Sequence, residues 1–294
     1  MKQTLILLCI LSANISNAQE TIPFKLGDDN RIYMKGIVNQ SDTLDLVFDL
    51  GANITVINKT RMKKNNVNIK FDTLVSNSGT NGSSEEEKSF NNQVVLGKQK
   101  YKNIDILGIS YPEDDLMDGI IGWNFFKDKI VQINYESKEL LIYDKLPELS
   151  KGYNKCKLKL VDDDGLPYVE VIVYKGKKKV KIWAMLDTGY NSELLVYFKE
   201  VKKNDLLNKF QVIGEATSYG TDGSISKQDK ILLPKFSISG FEIYNMPSYL
   251  NKTEFETDIP AILGGNLLKR FHIVLDFEKK LIYLKPNINI NSRF

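Results

Sequence analysis

The sequence predicts an all-β fold built as two similar halves. Three observations carry the prediction: short β-branched and aromatic runs punctuated by Gly, Asn and Asp turns, four blocks that recur in the same order, and two apolar strands that each end in Asp-x-Gly.

The blocks follow the chain. "IPFKLGDDNRIYMKGIVN" (22–39) and "CKLKLVDDDGLPYVEVIVY" (156–174) both alternate apolar and polar residues, break at an Asp-rich turn and alternate again, which is a hairpin pattern. Next come "LDLVFDLGANITVIN" (44–58) and "KIWAMLDTGYNSELLV" (181–196), in which Asp49 and Asp187 end apolar strands. "SGTNGS" (78–83) and "YGTDGS" (219–224) carry the Asn-Gly and Asp-Gly pairs of tight hairpin turns. The last pair is "GIIGWNFFKDKIVQINYESKELLIY" (119–143) and "AILGGNLLKRFHIVLDFEKKLIYLK" (261–285). The organisation expected is a signal peptide over 1–18, one lobe over 19–148 and another over 149–294, joined by the polar segment 144–155. Helix is confined to short pieces, best placed at 123–128 and 266–271, and Glu85, Glu86 and Glu87 read as a solvated loop after the first tight turn.

Composition narrows the function. In 294 residues, 42% are hydrophobic and 26% charged, which suits a globular chain with room for two cores. Forty basic residues against 37 acidic ones leave a formal charge of +3, and the lysine cluster "KGKKKVK" (175–181) reads as a solvated turn, so no nucleic-acid partner is expected. Met1-Lys2, the apolar run "TLILLCILSA" and the small residues before Gln19 form a secretory signal, which predicts an exported protein, periplasmic or secreted. The apolar run is too short to span a bilayer, and no later stretch reaches the ~20 apolar residues of a membrane span. Cys9 precedes the predicted cleavage and lacks the small neighbours of a lipid-attachment cysteine, so Cys156 is left as the one cysteine and no intramolecular disulfide forms.

If the halves pack around an approximate two-fold axis, Asp49 and Asp187 meet. Two carboxylates about 3 Å apart cannot both ionise; they share a proton and titrate together. One then takes a proton from water while the other donates to a carbonyl oxygen, chemistry that needs neither a metal, nor a cofactor, nor a covalent intermediate.

With "DLGA" (49–52), "DTGY" (187–190), "IIGWNFF" and "ILGGNLL", the chain resembles the aspartic peptidases, in particular the retropepsin-like group in a fused two-lobe, pepsin-like form. The resemblance implies barrel-like lobes flanking a cleft, a monomer, and hydrolysis of an extended peptide or protein substrate by water held between Asp49 and Asp187. It implies that Gly51, Ala52, Thr188 and Gly189 shape the two Asp loops, with Ile121, Gly122, Leu263 and Gly264 passing beneath them. It makes flaps of the glycine-rich turns, with Gly79, Thr80, Gly82, Tyr219, Gly220 and Gly223 facing substrate beside Tyr190. The family places Thr or Ser after each catalytic Asp to brace the opposite lobe. Thr188 meets that requirement and Leu50 departs from it, as Tyr190 departs from the usual small residue. Leu50 therefore leaves a second reading open, a peptide-binding or sensory module of the same fold.

Other chemistries lack residues. His272 is the sole histidine and lies in a predicted strand, one His and one Cys cannot make a zinc site, and no Lys-Ser/Thr follows the glycine turns as a phosphate loop requires.

Overall fold

The computed structural model describes residues 20–79, 82–161, 165–207, 209–219, 225–255 and 257–294, with the backbone alone for Ser78 and Tyr219. The predicted signal peptide and the Asp162–Asp164 turn lie outside these residues.

The N-terminal lobe contains β1 (Glu20–Leu26), β2 (Ile32–Val38), β3 (Leu44–Asp49), β4 (Thr55–Asn58), β5 (Thr73–Ser78), β6 (Ser83–Leu96), β7 (Gln99–Ile109), β8 (Gly119–Gly122), β9 (Ile130–Asn134) and β10 (Glu139–Tyr143). The C-terminal lobe contains β11 (Asn154–Val161), β12 (Leu166–Lys175), β13 (Lys178–Asp187), β14 (Leu194–Val196), β15 (Gln211–Tyr219), β16 (Ile225–Ile238), β17 (Phe241–Asn251), β18 (Ala261–Gly264), β19 (Phe271–Asp276) and β20 (Leu281–Pro286). Adding ten to each strand number converts the pairings of the first lobe into those of the second: β2–β3 becomes β12–β13, β3–β8 becomes β13–β18, and β4–β7 becomes β14–β17. The repeat seen in the sequence is thus a repeat of topology.

Local pattern explains each class of strand. β1 and β2 alternate buried and exposed residues because one face meets the core and the other meets water. β4 and β18 are buried throughout, so their sequences are short continuous runs, "TVIN" and "AILG". The β12–β13 turn at Gly176 has φ +57°, which glycine adopts without a Cβ penalty, and the lysines flank that turn as expected.

A six-stranded antiparallel sheet, β1–β10–β9–β19–β20–β11, underlies both lobes, with β9 and β19 joined at its centre through Ile133↔Ile273 and Val131↔Leu275. These side chains belong to one apolar cluster that extends into both lobes and includes Phe48, Leu50 and Leu186. Each fully buried Leu, Ile or Phe contributes about 1.5–3 kcal/mol, so this shared core sets the relative placement of the lobes. Trp123 adds a ring contact to Phe277 across the junction, centroids 4.6 Å apart.

Helix is scarce, as predicted: a 3-10 turn at Trp123–Phe126 and an α-turn, α2 (Gly265–Leu268), occupy the two expected places. A short helix, α1 (Phe198–Lys203), and a 3-10 turn at Lys59–Arg61 were not foreseen. The expectation of a loop at Glu85–Glu87 is corrected. These residues lie in β6 opposite Ser76, Val75 and Leu74, and Glu87 pairs with Lys59 at 2.8 Å. A strand with one face in water accommodates consecutive acids, so a charge run alone does not identify a loop. The connecting segment spans 144–153, and residues 154 and 155, expected within it, open β11. Among the described residues, no helix is long and apolar enough to cross a membrane.

Candidate active site

Asp49 and Asp187 are the last residues of β3 and β13. Each strand runs parallel to an inner strand, with Asp49 in register with Gly122 of β8 and Asp187 with Gly264 of β18. Beyond each aspartate the chain turns and rests on the end of the inner strand. Trp123 N–H donates to the Ala52 carbonyl at 3.0 Å; at the equivalent place Gly265 N–H donates to the Tyr190 carbonyl at 2.7 Å. A Cβ on Gly122 would lie 2.5 Å from the Ala52 oxygen, and one on Gly264 would lie 2.3 Å from the Ser192 oxygen. Ile121 and Leu263, both buried, precede these glycines and tie them into the core.

The glycines of the Asp loops face across the lobes. A Cβ on Gly51 would stand 2.8 Å from Asp187 Cγ, and one on Gly189 would stand 2.6 Å from Asp49 Oδ2. Each loop therefore leaves room for the carboxylate of the other, and the two carboxyl groups act on each other's ionisation. Asp49 Oδ1 also accepts from Gly51 N–H at 2.8 Å and, across the interface, from Gly189 N–H at 3.1 Å. Asp187 Oδ1 accepts from Tyr190 N–H at 2.7 Å.

The pair is electrostatically asymmetric. Burial pushes Asp49 above the ordinary carboxylate range, while backbone donors and the positive charge of Arg31 pull it back. Asp187 is pushed well above that range, first by burial and then by the negative charge of Asp49. Both carboxyl groups are thus raised, and they titrate as a unit.

Thr188 bridges the lobes. Its hydroxyl donates to the Phe48 carbonyl at 2.7 Å and accepts from Leu50 N–H at 3.0 Å, all in buried surroundings. The reciprocal bridge is impossible because Leu50 has no hydroxyl; its side chain is wholly buried in the common core instead. Tyr190, half-buried, packs with Tyr168, Met185, Leu195, Tyr197 and Ile262, so its ring is held by the C-terminal lobe.

The flap residues are only partly described. Gly79 N–H donates to the Gly82 carbonyl at 2.7 Å, closing the β5–β6 turn. Thr80, Gly220 and Gly223 lie outside the described residues, and Tyr219 is described only as the backbone end of β15. Near this first hairpin, Val75 of β5 packs in a small cluster with Tyr111 and Ile120. Burial and the charge of Asp49 together raise the Tyr111 phenol.

Sequence reading missed Asn30, Arg31 and Tyr111. Asn30 Nδ2 donates to the Asn191 carbonyl at 2.9 Å, and Arg31 Nε donates to the Gly189 carbonyl at 3.2 Å. The available signal was the Asp-rich turn at the head of the first repeat, which pseudo-symmetry directs at the opposite lobe. Among the described residues, no three His, Cys, Asp or Glu side chains converge as a metal site requires.

An all-β chain with paired aspartates at the junction of two repeated lobes has the layout of an aspartic proteinase. Comparisons agree with that class. Residues 34–125, which include Asp49 and Gly122, match a family model described as aspartyl protease. The crystal structure of the aspartic proteinase from Irpex lacteus is similar in fold, with a TM-score of 0.60 over 93% of this chain and 98% of that one at 13% identity. No curated protein matches in sequence. The family match lies within the first lobe, and the structural likeness shows that the whole chain shares the fold.

Proposed function

We propose that the protein is an exported aspartic endopeptidase in which Asp49 and Asp187 activate water against the carbonyl of an extended peptide. The observation that carries the reading is the reciprocal packing of the two Asp loops, in which each glycine makes room for the opposite carboxylate. Asp49, as the anion, takes a proton from water while the water oxygen bonds to the carbonyl carbon. Asp187 gives its proton to the carbonyl oxygen, so a neutral gem-diol forms. In the second half-reaction Asp187 takes a proton back from the diol, the C–N bond breaks, and the nitrogen leaves with the proton held by Asp49. Both carboxyl groups return to their starting states, and no covalent intermediate forms.

Export rests on the signal-like start of the sequence, and the substrate conformation rests on the strand-rich walls, which suit an added strand between the hairpins. The second reading, a peptide-binding module, rests on Leu50. A digest of a peptide library from acid to mildly alkaline pH distinguishes them, run with and without a chelator, on wild type and Asp187→Asn. Wild type cleaves with or without chelator and Asp187→Asn does not. Calorimetric binding of a statine-type peptide without cleavage at any pH would establish the module instead.

A further inference from the structure

The two faces of β13 carry different residues. Val180, Ile182, Ala184 and Leu186 enter the common core, and Lys181, Trp183, Met185 and Asp187 alternate with them on the other face. The face that bears Asp187 therefore continues down the strand to Trp183, about 13 Å away at the usual rise of a strand. Met185 lies between them, in a cluster with Tyr168, Tyr190 and Leu166 that also takes in Trp183.

At Trp183 this face turns basic. β11 directs Leu158 into the core and Lys155, Lys157 and Lys159 to the opposite side. Lys159 Nζ stands 3.8 Å from the centre of the Trp183 ring. Lys155 and Lys157 line, with Ile172, Trp183 and Ser237, a groove of about 450 Å³, and neither has a carboxylate partner among the described residues. The one acid of the groove, Glu170, is bonded to Lys181 at 2.8 Å. Ser237 is only 6% exposed, and its hydroxyl has no partner among the described residues. A polar group buried in that way costs stability unless something binds it. The first lobe puts other residues at these places. Thr21 and Pro23 occupy, in β1 against β10, the positions of Lys155 and Lys157 in β11 against β20. Val95 stands opposite Ile37 as Ser237 stands opposite Ile172, and Asp45, paired with Lys35, precedes Asp49 by four residues as Trp183 precedes Asp187. The donors belong to one lobe only, so the shared fold does not account for them.

We propose that this groove binds an acidic side chain of the substrate, about four residues from the scissile bond on the C-terminal lobe's side of the cleft. The carboxylate meets Lys155 and Lys157 and accepts from the Ser237 hydroxyl, while Lys159 is held at the groove's edge by the Trp183 ring. The proposal rests on the peptidase reading for its place in catalysis, and binding is tested apart from cleavage. Calorimetry on Asp187→Asn protein compares blocked tetraglutamate with blocked tetraglutamine, and NMR follows the Trp183 indole, identified by its loss in Trp183→Phe. Tetraglutamate binds, moves that resonance and is weakened by salt, and tetraglutamine does neither. The pair of changes Lys155→Gln and Lys157→Gln weakens binding about tenfold, and Ser237→Val, which copies the first lobe, weakens it several-fold. Equal binding of the two peptides, undiminished binding in the lysine variant, or an unmoved indole overturns the proposal. Binding of phosphatidylglycerol vesicles through these lysines, with no binding of tetraglutamate, overturns it as well. Cleavage then tests the register. Wild type cleaves peptides with Glu four residues from the bond, on one side, about tenfold faster in kcat/KM than the Gln counterparts, and the lysine variant loses that preference. Cleavage with no such preference on either side overturns the placement. If tetraglutamate binds as described in a protein that cleaves no peptide, the peptidase reading fails and the acidic-peptide site stands.

Discussion

Thr188 and Leu50 occupy equivalent positions and take opposite parts. The Thr188 hydroxyl satisfies a carbonyl and an amide of the other lobe, both buried. Thr188→Val keeps the shape and strands both groups, at about 1–3 kcal/mol each, so the melting temperature falls by several degrees and Thr188→Ser restores most of it. Leu50→Thr tests the other side. It adds one hydrogen bond worth about 1 kcal/mol and gives up part of a fully buried leucine worth about 1.5–3 kcal/mol. Burial wins, and Leu50→Thr lowers the melting temperature in a thermal unfolding scan; a rise would show that the missing brace matters more than the core. The sequence made the absent hydroxyl plain. It could not show that the leucine has joined the common core, because that depends on how closely two distant loops approach. Arg31 was illegible for the same reason: its turn was predicted, but the carbonyl it binds lies 158 residues away.

At the level of elements, the inner strands β8 and β18 hold the Asp loops from below, and the atom nearest to each terminal glycine is a backbone carbonyl oxygen, of Ala52 and of Ser192. A backbone carbonyl cannot swing aside as a side chain does. Gly122→Ala and Gly264→Ala therefore force β8 and β18 away from the loops and destabilise by about 1–3 kcal/mol or more, which denaturant unfolding reads directly. Gly51→Ala and Gly189→Ala differ because the new methyl meets the opposite carboxyl group. They leave the fold close to intact and displace the pair, and a misplacement of about 1 Å costs roughly a hundredfold in kcat/KM. Equal losses of stability in all four variants would contradict this division. The strands themselves were legible because alternation and doubled blocks agree. The β6 acids were not, since a strand with one wet face and a solvated loop carry the same charges. Helix α1 follows β14 as the 3-10 turn at Lys59–Arg61 follows β4, and neither lay in a block whose repeat was legible.

Across the whole molecule, the two lobes bury a pair of carboxyl groups whose ionisation folding opposes. Both members are raised in the folded protein, so the native state binds more protons than the unfolded chain above the ordinary carboxylate range. Stability is then fully present below about pH 4 and declines as pH rises through the raised values, by about 1.4 kcal/mol for every tenfold weakening of the acid on folding. Asp187→Asn removes its own part of this slope and melts higher than wild type near neutral pH. Thermal unfolding across pH checks the sign, and a wild type that gains stability over the same interval would contradict it.

The central claim is that the pair works as one anion and one proton. It is tested most directly by kcat/KM against pH for a single cleaved peptide, in wild type, Asp49→Asn and Asp187→Asn. The wild-type profile is a bell, its acid limb set by the first ionisation of the pair and its alkaline limb by the second, and either substitution lowers the rate by about a thousandfold or more. A profile without an alkaline limb, or cleavage surviving in Asp187→Asn, would contradict the account.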